Sequence, residues 1–427
     1  MGELKENLYK SPSGISIYTY KNPSLHGFFI SLFVKAGALY EEGELSGITH
    51  FLEHAVIRSI NTAEGGKLYS LLDRHGIEFN ASIYSEMIQF YVSGGCDNFS
   101  VGADVISKTL APLCLNRREL DLERRRIKAE IRESDDKTSL VSFTNKCVFE
   151  GTTLAGSILG SNKSIDKVTV SALEEYRKKV FSPENIFFYL TGSFTDEDVE
   201  YLAEKISAYS LSSSEKRDNI APVPQKFGKR DANVAVKNSD FTMVRFSFDL
   251  DMKSFSSPAL DLLYDMLLTG YNSRLFIELS ENRGLFYDLG GSVERYSNIG
   301  TLSFGYELKE KDLEDAISLT FSILAELKNP EHASPDCMKA GYVDNALMLL
   351  DDARELNFTF AYDNHIMNME FSSVEERRRA FAAVSADDIS SLARKIFVPE
   401  NLTVTVKGNK KKINAEKIRE IAFKELL

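Results

Sequence analysis

The chain has 427 residues, 43% apolar and 27% charged, with a net charge of −12 at neutral pH. That length admits two or three domains with full hydrophobic cores, in the composition of an ordinary globular protein. The acidic balance argues against a nucleic-acid partner, which calls for a basic patch, and is compatible with attracting basic peptides. Apolar runs such as Phe28 to Val34 are far too short to span a bilayer, so no membrane partner is expected.

The opening segment, MGELKENLYKSPSG, has neither the apolar stretch of a secretory signal nor the Arg-rich, acid-poor character of a transit peptide. Cys96, Cys114, Cys147 and Cys337 form no C-x-x-C pair and read as free thiols in a reducing compartment. A cytoplasmic protein is the expectation.

In chain order, β-rich runs come first, at Ile15–Tyr20 and Phe28–Lys35. Helical periodicity follows at Ser46–Ile60, Gly65–His75 and Arg117–Glu133. Residues 168–192, VTVSALEEYRKKVFSPENIFFYLTG, read as an amphipathic helix, a Pro-Glu-Asn turn and a strand. Residues 210–230, SLSSSEKRDNIAPVPQKFGKR, are rich in Ser, Pro and charge and lack periodicity, as a linker does. Strands are then expected at Asn233–Lys237 and Thr242–Asp249, and helices at Pro258–Leu268 and Lys311–Leu327. Residues 384–408, VSADDISSLARKIFVPENLTVTVKG, repeat 168–192 at a constant offset of 216. Lys179, Phe181, Pro183, Glu184, Asn185 and Gly192 match Lys395, Phe397, Pro399, Glu400, Asn401 and Gly408.

The repeat predicts a duplicated α+β protein with mixed strands and helices. Each of its two domains is a mostly antiparallel mixed sheet packed with helices. The expected domains are 1–209 and 231–427, joined by the linker 210–230.

One segment carries chemistry. In His50-Phe51-Leu52-Glu53-His54, residues three and four apart share a helix face, so His50, Glu53 and His54 point the same way. Two imidazoles at this spacing can grip one Zn²⁺, and the carboxylate beside them can act on water at the metal; this inverts the H-E-x-x-H arrangement. A catalytic zinc needs a third ligand and an open position. The segment DLERRRIKAEIRESDD offers Glu123, Glu130, Glu133, Asp135 and Asp136, with Glu123 and Glu130 on one helical face.

His50-Phe51-Leu52-Glu53-His54 followed by a Glu 76 residues after His54 resembles the pitrilysin/insulinase family of zinc peptidases, which includes mitochondrial processing peptidase and its bacterial relatives. Gly76-Ile77-Glu78-Phe79-Asn80-Ala81-Ser82 resembles that family's cleft-lining strand. Ser273-Arg274-Leu275-Phe276 and Arg283-Gly284-Leu285-Phe286-Tyr287 resemble the signature of its second domain. The resemblance implies a zinc-dependent metallo-endopeptidase with His50, His54 and Glu130 as zinc ligands and Glu53 as general base. It makes Glu123 a supporting residue behind the ligands and Asn80, Ala81 and Ser82 part of a strand that binds peptide by sheet extension. It also implies a dimer enclosing a cleft. The family's oxyanion helpers are an Arg and a Tyr seven residues apart; Tyr287 fills the Tyr position, but Ser280 stands where the Arg belongs. Arg274 and Arg283 lie nearby without that spacing. Ser280 therefore predicts a heterodimer whose partner supplies the Arg. The competing expectation is a non-catalytic structural or substrate-presenting subunit. The offset of 216 puts the counterparts of His50 and His54 near Met266 and Gly270, so the second domain is expected to lack a metal site and to be structural; His332 and His365 are isolated.

Overall fold

The computed structural model describes residues 4–42, 44–134, 139–286 and 289–427. Its strands are β1 (Glu6–Lys10), β2 (Ser16–Lys21), β3 (Gly27–Val34), β4 (Glu78–Ile83), β5 (Ile88–Gly95), β6 (Ile186–Gly192), β7 (Asn233–Asn238), β8 (Thr242–Asp251), β9 (Leu289–Arg295), β10 (Ile299–Leu308) and β11 (Leu402–Gly408). Its helices are α1 (Ile48–Ala63), α2 (Leu68–His75), α3 (Phe99–Ser107), α4 (Arg117–Glu133), α5 (Leu140–Val148), α6 (Asn162–Lys167), α7 (Val170–Val180), α8 (Asp196–Ser207), α9 (Ser257–Leu268), α10 (Leu313–Glu326), α11 (Asp336–Val343), α12 (Ala353–Phe360), α13 (Val374–Ala382), α14 (Ala386–Ile396) and α15 (Ala415–Leu426).

Strand burial explains strand order. β6 is buried along its whole length and β3 at every position but the first, as suits strands covered on both faces. β1 and β4 are largely exposed or half-buried, as edge strands are. The first sheet accordingly runs β1-β2-β6-β3-β5-β4. β2 and β6 are parallel, and the other neighbours are antiparallel. The second sheet runs β7-β11-β8-β10-β9, with β7 and β11 parallel and the rest antiparallel. Dropping β1 leaves the same order and the same single parallel pair, so the repeat is one fold built twice. The duplicated segments are α7-β6 and α14-β11, each opened by a hydroxyl N-cap, Thr169 and Ser385.

Two compact units emerge, but their boundaries are not those of a simple cut. One comprises Met1–Ser134, Gly156–Asn219 and Leu347–Glu376; the other comprises Asp135–Ala155, Ile220–Ala346 and Arg377–Leu427. The sequence-based division into 1–209 and 231–427 thus assigns 135–155 and 347–376 to the wrong halves. The physical reason is side-chain satisfaction at long range. In the first unit α12 covers a sheet face bearing Ser31, Gln89 and Thr191. Buried Asn357 accepts from the Ser31 hydroxyl at 2.7 Å and donates to the Tyr189 carbonyl at 2.8 Å. In the second unit α5 lies on β11, where Thr144 and Thr405 share a hydrogen bond of 2.6 Å. The buried Arg230–Asp249 pair secures the same segment, with Arg230 donating to the Val148 carbonyl at 2.8 Å.

The opposite face of the first sheet receives α1. Its Phe51, Leu52, Ala55 and Val56 are buried with Ile30, Leu32, Phe90 and Phe188 of the sheet and with Leu120 and Ile127 of α4. This packing fixes α1 and α4 side by side. The expected linker is irregular through residue 224, and its first part is held by the Pro-Glu-Asn turn: Glu184 accepts from the Ser213 hydroxyl at 2.6 Å and Asn185 from the Arg217 amide at 2.8 Å.

Candidate metal centre

α1 and α4 converge on one cluster. His50, His54 and Glu130 bring ligand atoms within 4.8 Å of one another, a group able to hold a metal ion. Glu130 spans both rings: Oε2 lies 3.2 Å from His50 Nε2, and Oε1 lies 3.5 Å from His54 Nε2. The rings stand at 87° with centroids 4.8 Å apart. Glu53 Oε2 is 4.0 Å from His50 Nε2. Of the acids considered as third ligand, Glu130 joins the group and Glu123 takes the other side of His54. Glu133 is exposed at the end of α4. Asp135 and Asp136 lie outside the described residues.

Glu123 and Glu130 are two turns apart on α4 and straddle His54. Glu123 Oε2 lies 3.3 Å from His54 Nδ1. An ionised carboxylate only accepts, so Nδ1 carries a proton, which leaves Nε2 facing Glu130. Two imidazole Nε2 atoms and a carboxylate converge here, a donor set that fits a divalent cation. Catalytic zinc sites draw on such sets of imidazole nitrogens and carboxylate oxygens.

Electrostatics follow from burial and from three carboxylates beside two imidazoles. Burial, then the neighbouring His54, push His50 down to about 3, so it stays neutral with a lone pair to donate. Burial also pulls His54 down, but its bond to Glu123 and the charges of Glu53, Glu130 and Glu123 outweigh it, and the net shift is upward. Burial raises Glu53, opposed by His54 and assisted by Glu130 and Glu123. Glu123, 2% exposed, is raised by burial but lowered further by its bonds to His54 and Arg58 and by the charges of Arg58 and Arg126. Arg58 reaches Glu123 Oε1 at 2.5 Å through both Nε and Nη2. Sequence reasoning missed Arg58, although it lies four residues after His54 on the same helix face, a spacing that marks a partner.

Asn80, Ala81 and Ser82 lie on β4, the outer strand of the first sheet. The Ala81 amide is held by Asn80 Oδ1 at 2.9 Å rather than by β5. Tyr287 lies outside the described residues. The Ser280 hydroxyl donates to the Phe286 carbonyl at 2.8 Å. Neither nearby arginine is free: Arg274 pairs with Glu326 and bonds the His332 carbonyl, and Arg283 pairs with Glu278. α9 of the second unit, SPALDLLYDMLL, contains no histidine. The constant offset fails there, since it puts the counterpart of His54 at Gly270, beyond the end of α9 at Leu268; the connection from β8 to α9 is shorter than that from β3 to α1. Among the described residues, no helix is long and apolar enough to cross a membrane.

Two family models match successive stretches. Residues 17–162, holding the whole cluster, match the model described as Insulinase (Peptidase family M16), and residues 167–334 match Peptidase M16 inactive domain. An uncharacterized zinc protease of Rickettsia bellii is 25% identical over 411 residues, covering 92% of this chain and 96% of that protein. A protease from Helicobacter pylori has the same fold, with a TM-score of 0.82 at 18% identity, covering 95% of this chain and all of the other. A Pseudomonas fluorescens structure described as a peptidase M16 inactive domain aligns with a TM-score of 0.81 at 16% identity, over 95% and 98% of the two chains. With both halves matched in order along one chain, this protein belongs to the M16, or insulinase, family of peptidases.

Proposed function

We propose that the chain is a zinc-dependent metallo-endopeptidase that hydrolyses unfolded peptides or peptide precursors. The observation that carries this reading is Glu130 spanning the Nε2 atoms of His50 and His54. His50, His54 and Glu130 would hold the ion. Zinc in such a three-ligand site supplies Lewis acidity, bringing water at the open position to a pKa of about 7 and polarising a carbonyl. Glu53 takes the water proton and returns it to the leaving amine. Its raised proton affinity suits both tasks, because a general acid–base works best near the ambient pH. Glu123 keeps the His54 ring oriented and its Nδ1 protonated.

The substrate would add as a strand to the free edge of β4 at Asn80, Ala81 and Ser82. There the peptide replaces the local bond between Asn80 and the Ala81 amide. Tyr287 would donate to the carbonyl oxygen during attack. Among the described residues of that segment, Ser280 is bonded to a carbonyl and both Arg274 and Arg283 are paired with carboxylates. This supports a heterodimer in which a related subunit supplies the arginine. The four cysteines are free, as suits the reducing cytoplasm.

Glu53→Gln tests the central claim. The variant should bind zinc like the parent and lose about 10²–10⁴-fold in peptide cleavage; undiminished cleavage would refute Glu53 as the base. The same missing arginine favours a second reading, a substrate-presenting subunit without its own activity. Chelator-sensitive cleavage of a mixed peptide library, by the chain alone and with related subunits, separates the two.

A further inference from the structure

We propose that Glu41 is the positioning residue of His50, holding through the backbone what Glu123 holds for His54 through the ring. This rests on the metal-site reading above. α1 begins at Ile48 behind Gly47, which has no side chain to cap the helix. Gly47 cannot be replaced by an ordinary capping residue. Its φ is +85°, and a Cβ there would lie 2.7 Å from Gly160 Cα and from the Leu159 carbonyl oxygen. Capping is therefore delegated to a carboxylate six residues upstream. Glu41, 7% exposed, accepts from the Gly47 amide through Oε2 at 2.9 Å and from the Thr49 amide through Oε1 at 3.0 Å. These donors would otherwise lack partners at a helix start. The Thr49 hydroxyl also meets the Tyr176 hydroxyl of α7 at 2.8 Å, which ties the same turn to a second helix.

His50 is the next residue. It is 4% exposed and its Nδ1 has no hydrogen-bond partner. His54 is different: its Nδ1 is bonded to Glu123, which is itself clamped by Arg58. A ligand imidazole needs its other nitrogen held, or its backbone held, to keep its direction. His50 lacks the first and has the second. Its Nε2 points at Glu130 because the first turn of α1 is fixed, and the Glu41 carboxylate fixes that turn.

The test uses the full chain and three substitutions: Glu41→Ala, Glu41→Gln and, as a control for loss of a remote helix cap, Asp198→Ala in the capping box of α8. Zinc affinity of the parent is measured first, by competition with a chromophoric chelator; that measurement alone decides the metal-site reading. Amide hydrogen exchange of Gly47, Thr49 and His50 in metal-free protein then decides the role of Glu41 independently. Glu41→Ala should speed exchange in this turn and weaken zinc binding by about 10–100-fold, the range for loss of an outer partner of a ligand. It should also alter the visible spectrum of the cobalt-loaded protein. Glu41→Gln keeps one acceptor and should lie between Glu41→Ala and the parent. Asp198→Ala should leave zinc affinity and the α1 amides unchanged. A folded Glu41→Ala or Glu41→Gln protein with parental exchange at these three amides overturns the proposal. So does an equal loss of zinc affinity in Asp198→Ala.

Discussion

The two units share a sheet order and a helix laid on the sheet after the second long strand, yet only one of these helices gathers a metal-binding set among the described residues. In the first unit α1 places His50, Glu53 and His54 beside α4. In the second, α9 also has acidic residues four apart, Asp261 and Asp265, but each is spent locally: Asp261 pairs with Arg295, and Asp265 accepts from the Tyr342 hydroxyl at 2.8 Å. The common fold supplies a helix in a buried, well-packed place. What differs is whether its polar side chains are paired off locally or converge as a group that could hold a cation. The most severe way to break this contrast is His54→Ala. Zinc content should fall from about one per chain to near zero, and chelator-sensitive cleavage should fall with it. Asp265→Asn should leave zinc content unchanged. Retained zinc in His54→Ala, read by metal analysis after gel filtration, would remove His54 from the ligand set.

A smaller effect is expected behind the ligands. Glu123→Gln puts an amide where His54 Nδ1 needs an acceptor and leaves Arg58 without its anion. Metal affinity should drop by about 10–100-fold without loss of the fold. Chelator competition checks the first part and circular dichroism the second. Equal affinity would mean that packing alone holds the His54 ring.

What the chain discloses from its residues tracks the range of the interactions. The helix that carries the candidate metal group was legible because the spacing of His50, Glu53 and His54 is a property of one helix; periodicity suggested Ser46–Ile60, and α1 spans Ile48–Ala63. The strand at Gly27–Val34 shows the near-continuous apolar run of a buried strand, and those at Ser16–Lys21 and Thr242–Asp251 alternate polar with apolar residues. The duplicated turn lies where the identities lie. Glu41 carried no local signal: a carboxylate seven residues before a helix whose preceding glycine cannot cap looks like any loop acid. The allocation of α5 and α12 was also hidden. Periodicity marks a helix face, but not which sheet, hundreds of residues away, presents matching hydroxyls.

Those two allocated helices supply the mildest and most discriminating comparison. Both lie on polar sheet faces, but Asn357 of α12 is fully buried and connects Ser31, Tyr189 and Thr191, whereas Thr144 of α5 offers one hydroxyl to Thr405. Asn357→Ala removes the acceptor of the buried Ser31 hydroxyl, which keeps only its bond from Gln89, and a donor to the Tyr189 carbonyl, and should cost about 2–3 kcal/mol. Thr144→Val keeps the volume and removes the hydroxyl's bonds to Thr405 and to the Leu140 carbonyl of its own helix, for about 1 kcal/mol. Because the units have separate cores, urea unfolding followed by site-resolved hydrogen exchange should show each cost in a different place: Asn357→Ala lowers protection of β3 and β6, and Thr144→Val that of β8 and β11. Uniform loss of protection across both sheets in either variant would mean that the chain unfolds as a single cooperative block, and that the boundary between the units has no energetic counterpart.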